Sequence, residues 1–243
     1  MSVAASHYNT PADAAVPGTP HPPTARATSS RLTDRHSTGR DSTSRDLAGR
    51  RRLVLADLVV STDRSRARDA TLVVAGAAWI AGLGQLAIPL GFTPVPMTMG
   101  TFAVLTAGAA LGVQRAAAAT LLFLVSGLAG APVFAGGQSG AGLPTLGYAI
   151  GYIGAATLVG WAAERGLDRS PGRAFGVMAV GSAVVYLVGV PYLTVAAGLT
   201  LDGGIVQGLV PFLVGDLIKA VAGAAALTGA WLATGGRAAA RRS

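Results

Sequence analysis

The sequence predicts an all-α integral membrane protein with six transmembrane helices and both termini in the cytoplasm. Three observations predict this class: an apolar composition, six hydrophobic segments, and basic residues confined to alternate loops. Of the 243 residues, 51% are hydrophobic and 12% are charged, with a mean hydropathy of +0.52. Soluble domains carry about 25% charged residues. A Gly- and Ala-rich chain this poor in charge belongs to the membrane class.

The hydrophobic segments run over 71–88, 98–114, 116–131, 144–163, 174–197 and 205–233. A helix crosses about 30 Å of hydrocarbon with about 20 apolar residues. The second and third segments are short and parted only by Gln114 and Arg115, which reads as a tight helical hairpin. Loop charge sets the orientation. Arg115 lies in the second connection, Arg165, Arg169 and Arg173 in the fourth, and Arg237, Arg241 and Arg242 at the C-terminus. The first, third and fifth connections hold no basic residue, so the positive-inside rule places both termini in the cytoplasm.

Residues 71–236 are therefore expected to form the membrane domain, followed by a basic cytoplasmic C-terminus at 237–243. Residues 1–70 are expected to be a disordered basic tail. The first fifty are rich in Ser, Thr, Pro and Arg and nearly free of aliphatic side chains, too little apolar surface to offset ordering entropy. Within that tail, 51–70 reads equally as a linker or as a short amphipathic piece on the membrane surface.

Several function classes are excluded. The chain has no cysteine, which removes disulfides and thiolate metal sites. His7, His21 and His36 all lie in the tail, so a histidine-based catalytic centre in the core is impossible. No GxxxxGK(S/T) phosphate loop occurs, so this chain does not hydrolyse ATP. The net charge of +8 is not a nucleic-acid signal, because eleven of the nineteen basic residues precede residue 70, mixed with seven acids. No catalytic residue, metal ligand or cofactor is expected.

One pair of charges stands out. Asp216 and Lys219 lie in the last hydrophobic segment, and Lys219 is the single lysine of the chain. A spacing of three puts both on one helix face, close enough to pair. Each costs about 2.5–3.5 kcal/mol at the bilayer centre, so such residues face the interior. The bland reading is a self-neutralised pair that locks helices together. A pair facing a binding cavity is favoured. There Lys219 would meet a ligand carboxylate, and Asp216 would accept from N–H donors.

Other features point to the same end of the bundle. Gln85 is a second polar residue deep in an apolar segment. It precedes IPLGFTPVPMT, where Pro89, Pro94 and Pro96 forbid continuous helix. That uncharged, apolar loop reads as a lid. The Gly-rich run after the third segment is also expected to fold over the outer mouth, beside a cavity. Ala77 and Ala81, like Ala78 and Gly82, put small residues one turn apart. This suits either packing inside the bundle or docking of a separate membrane subunit.

The runs IPLGFTPVPMTMGTFAVLTAGAALG, SGLAGAPVFAGGQSG, PTLGYAIGY and PFLVGDLIKA, in this order, resemble the BioY family. Its members are biotin-specific S components of energy-coupling-factor (ECF) transporters. The resemblance covers residues 72–233 and implies an S-component-like six-helix bundle in the bacterial cell membrane. It implies biotin as ligand, with a transmembrane coupling (T) subunit and ATP-binding cassette ATPases as partners. By matching position, it implies that Asp216 and Lys219 bind ligand and that Phe134 and Tyr148 line or support the pocket. It likewise implies that Pro94, Val95, Pro96 and Thr98 belong to the covering loop, and that Ala77 and Ala81 belong to the docking surface. The chain departs from the family pattern at Gly100, where glutamine is usual, at Leu143 before Pro144 and Thr145, where glycine is usual, and in its long tail. The alternatives are an S component for another vitamin, a solitary facilitator, or a structural membrane subunit.

Overall fold

The computed structural model describes residues 54–59 and 66–240, with side chains through Thr234. Among these residues the regular secondary structure is helical apart from one small antiparallel ribbon and an isolated Phe134–Gln138 bridge. The helices are α1 (Leu55–Val59), α2 (Arg66–Gly84), α3 (Gly100–Leu111), α4 (Val113–Leu128), α5 (Leu146–Glu164), α6 (Pro171–Ala196), α7 (Leu201–Gly208) and α8 (Leu213–Ala240). Strands β1 (Ala87–Ile88) and β2 (Met97–Thr98) pair Ala87 with Thr98 and Ile88 with Met97.

Each predicted hydrophobic segment contains a helix, with shifted ends. Three stretches are long and apolar enough to cross a membrane: Leu146–Glu164, Pro171–Ala196, and Leu201–Thr234, which joins α7 to α8. Helices α3 and α4 are apolar but shorter, and α2 opens on Arg66, Arg68 and Asp69. The hairpin break falls at Gly112 rather than at Gln114 and Arg115. Gly112 has φ +79°, a left-handed value that costs glycine little and other residues much. The amide of Val113 donates to Glu164 Oε1 at 2.9 Å, so α5 caps the first turn of α4.

Helix α5 is the hub, packing on α3, α4 and α6. Glycine makes these approaches possible. A Cβ on Gly108 would lie 2.9 Å from the Ala156 carbonyl oxygen, and one on Gly151 would lie 2.9 Å from that of Val185. Backbone thus rests on backbone, as small residues permit between helices in lipid. Helix α8 shows the matching division of faces. Asp216, Ala220, Ala224 and Leu227 are buried, while Leu213, Val214, Leu217, Ile218 and Val221 point outward. The polar residue is inside and the large aliphatics outside, the reverse of a soluble helix.

The expected tail lies outside the described residues as far as 53. Within 54–70 the described residues carry α1 at Leu55–Val59 and the start of α2 at Arg66, an arrangement with a physical cause. The cause is charge pairing plus burial. Val54 and Leu55 are buried. Asp57 accepts from Arg68 at 3.2 Å and from Arg115 at 2.9 Å, while Arg115 also reaches Asp69 at 2.9 Å.

The two small-residue pairs of α2 lie on different faces of the helix. Ala77 is buried at 8% exposure and Ala81 packs against the core, so this pair faces the bundle interior. The exposed small pair one turn apart on α2 is Ala78 and Gly82. Both pairs have the same spacing, and only the packing of α2 on α3 and α4 decides which turns inward.

Candidate substrate-binding cavity

The inward turn of Asp216 puts a carboxylate on the wall of a cavity between the helices. The wall is drawn from α2 to α6, α8 and the loops before α3 and α5. It is built of aliphatic and aromatic side chains with Thr98, Thr101 and Thr145 among them, and it carries one charged cluster.

Asp216 and Lys219 form that cluster. Lys219 Nζ lies 2.9 Å from Asp216 Oδ1, one helical turn away as the spacing predicted. The Tyr186 hydroxyl donates to the other oxygen, Oδ2, at 2.5 Å. Both carboxylate oxygens are therefore held by this chain's own donors. An ionised carboxylate offers about four lone-pair sites. Two remain for hydrogen-bond donors of a ligand.

The proline-rich loop closes one side. Val95, Pro96 and Thr98 line the cavity, Val95 at 6% exposure. Pro94 does not line it and is exposed. The ribbon holds the loop together, and Thr93 Oγ1 ties it to α7 by donating to the Gln207 carbonyl at 2.9 Å. Met97 packs on Gly215, beside Asp216. The lid thus rests on the helix that carries the charges.

Phe134 is buried at 5% exposure and meets Phe123 edge-on, with centroids 5.5 Å apart. Its ring fills the space that a side chain on Gly127 would need. Gln85 fixes the backbone beneath it. Its amide nitrogen donates to the carbonyls of Val133 and Phe134 at 3.1 and 3.0 Å, and its oxygen accepts from Gly137 at 2.9 Å. The polar residue singled out in the apolar segment is therefore a loop clasp. Tyr148 lines the cavity too, but its hydroxyl is engaged by the Gly208 carbonyl at 2.8 Å.

The structure thus brings Asp216, Lys219, Phe134, Tyr148, Val95, Pro96 and Thr98 to one cavity, and leaves Pro94, Ala77 and Ala81 outside it. Sequence reasoning missed Tyr186 and Tyr152, which also line it. Their one signal is a phenol in an aliphatic helix, where a buried hydroxyl needs a partner. The departure at Gly100 has a spatial counterpart, since the Tyr152 hydroxyl stands 2.5 Å from where a Cβ would be. Glycine there leaves room for the phenol.

An apolar helical bundle with a charged pair on the wall of an internal cavity defines a membrane-type protein. The chain belongs to the BioY family, whose model matches residues 56–235. It is 38% identical over 168 residues to a biotin transporter BioY of Rhizobium etli, covering 65% of this chain and 89% of that one. It is also 38% identical over 169 residues to a biotin transporter BioY of Rhodobacter capsulatus, covering 63% and 88%. A solved structure, the S-component for biotin from an ECF-type ABC transporter, superposes with a TM-score of 0.61 at 28% identity. That match covers 69% of this chain and 92% of the other.

Proposed function

We propose that this chain is a high-affinity biotin-binding membrane subunit for biotin uptake. It works with an ECF coupling subunit and ATPases and hydrolyses no ATP itself. The observation that carries the reading is the Asp216–Lys219 pair turned into a lidded cavity, in a chain of the BioY family. The names of its relatives supply the ligand.

Biotin suits this wall. Its ring and aliphatic chain match the apolar and aromatic lining, and it offers hydrogen-bonding groups at two separate ends. With Lys219 only 2.9 Å from Asp216, the two residues act at one place and not at opposite ends of the vitamin. The ureido head presents a carbonyl acceptor flanked by two N–H donors. It can engage Lys219 through the carbonyl and Asp216 through the N–H groups. This revises the split expected from sequence, in which Lys219 takes the carboxylate.

In this reading the chain crosses the bacterial cytoplasmic membrane six times, with α2 to α6 and α8 as spans and both termini inside. The basic connections at Arg115 and Arg165 to Arg173 support that orientation. Opening of the 89–98 lid admits ligand from outside. The coupling subunit docks on the outward small pair of α2, Ala78 and Gly82. A purely structural subunit would use the same charge pair as a helix lock. Retention of labelled biotin by the purified protein supports the transport reading, and absence of retention overturns it.

A further inference from the structure

A second cavity lies on the outer side of the same wall. It has a volume of about 560 Å³ and lies between α6, α7 and α8. Its lining is apolar, with Phe175, Leu187, Ile205, Leu213 and Leu217 among its residues, and Leu187 is 76% exposed. In a membrane this groove faces acyl chains. Tyr186 and Asp216 are the two residues that line both cavities. The partition between a polar site and an apolar groove is therefore a single hydrogen-bonded pair.

We infer that Tyr186 is a positioning residue for biotin binding, fixing the Asp216 carboxylate with its hydroxyl and closing the site toward lipid with its ring. The inference rests on the proposed biotin reading. A carboxylate on a short side chain turns freely about its last torsion, which has no sharp staggered preference. Lys219 holds one oxygen, and a single contact still permits that rotation. The Tyr186 hydroxyl on the second oxygen removes it. The remaining lone pairs then point in one fixed plane, as two N–H donors of a ligand require.

The phenol is itself braced. Its ring meets Tyr148 edge-on, with centroids 6.2 Å apart, and Tyr148 is anchored through its hydroxyl to Gly208. Tyr148 fills the space left by Gly189, whose Cβ would strike its ring. A chain of contacts thus runs from α7 through Tyr148 and Tyr186 to Asp216. Removing only the hydroxyl leaves the ring, the partition and the packing in place.

The experiment compares the full chain with Tyr186→Phe in lipid nanodiscs, by biotin titration, by thermal unfolding and by infrared spectroscopy. The Asp216 carboxylate band is assigned by its loss in Asp216→Asn. The expected result for Tyr186→Phe is a Tm close to the parent protein, a Kd raised about tenfold to a hundredfold, and a displaced carboxylate band in the ligand-free protein. A Kd within twofold of the parent, or an unmoved band, overturns the inference. Loss of Tm and affinity together with an unmoved band reduces Tyr186 to a packing residue and overturns it as well. If the parent protein binds no biotin, the proposed function fails, and the band of the ligand-free protein still decides whether Tyr186 orients Asp216.

Discussion

Gln85, the residue just past the end of α2, donates to the carbonyl of Phe134 at 3.0 Å, joining residues 49 positions apart in sequence at the rim of the cavity. With its bonds to Val133 and Gly137, one side chain reaches three backbone groups of a loop that is also pinned internally by the Phe134–Gln138 and Gly137–Phe134 backbone bonds. Each such bond contributes about 0.5–1.5 kcal/mol net. Gln85→Leu is expected to lower biotin affinity about tenfold while leaving helix content unchanged. Gln85→Glu, which loses the two donors, should fall close to it. Titration with labelled biotin and circular dichroism check both outcomes.

Gly127 makes the slot for the Phe134 ring. Gly127→Ala puts a methyl group where that ring lies. Overpacking of a closed core costs about 1–3 kcal/mol. The variant should melt several degrees lower and bind biotin more weakly, because Phe134 is driven toward the ligand space. Phe134→Leu in the Gly127→Ala background should recover part of the Tm.

Acid should loosen α1. Burial pushes the Asp57 carboxyl up, but the hydrogen bond and charge of Arg115, with smaller help from the Val54 amide and Arg68, hold it net below its usual 3.8. A carboxylate whose folded value is depressed stabilises the fold above its unfolded pKa, and that stability is lost as pH falls through the folded value. The contribution is therefore full at neutral pH and disappears only below pH 3.8. Arg115→Gln should lower stability by about 1 kcal/mol at pH 7 and flatten the acid limb of a Tm-against-pH curve.

Asp168 behaves in the opposite sense. It lies in the loop between α5 and α6 at 1% exposure, with Oδ2 accepting from Trp231 Nε1 at 2.7 Å. Among the described residues, its Oδ1 has no hydrogen bond. Burial raises its carboxyl above 3.8, against the pull of the Trp231 bond. A raised folded value stabilises below the unfolded pKa, and that gain is lost as pH rises through the folded value. Asp168→Asn should thus be no less stable than the parent at pH 7 and should lose this pH dependence. Trp231→Phe should cost about 1–2 kcal/mol at pH 7.

Legibility in the sequence followed the range of each interaction. Asp216 and Lys219 were visible because their pairing is one helical turn long and their cost in an apolar helix is high. The non-helical loop before α3 was visible because proline excludes helix locally. Tyr186 was not, since its partner is 30 residues away on another helix and its position depends on how α6 packs against α8. Which small-residue pair of α2 turns inward was not legible for a similar reason. Small-residue spacing marks a face that permits close approach, and the neighbours of α2 decide whether that face is filled from within. At the hairpin, charge drew attention to Arg115, while the chain reverses at Gly112.

The central claim is that one charged pair, turned into a lidded cavity, binds biotin. The direct measurement is equilibrium binding of labelled biotin to the purified full chain beside Asp216→Asn and Lys219→Met. The account predicts saturable, tight binding by the parent protein and a loss of at least a hundredfold in each variant, with both variants still folded. Binding in both variants equal to that of the parent would contradict it.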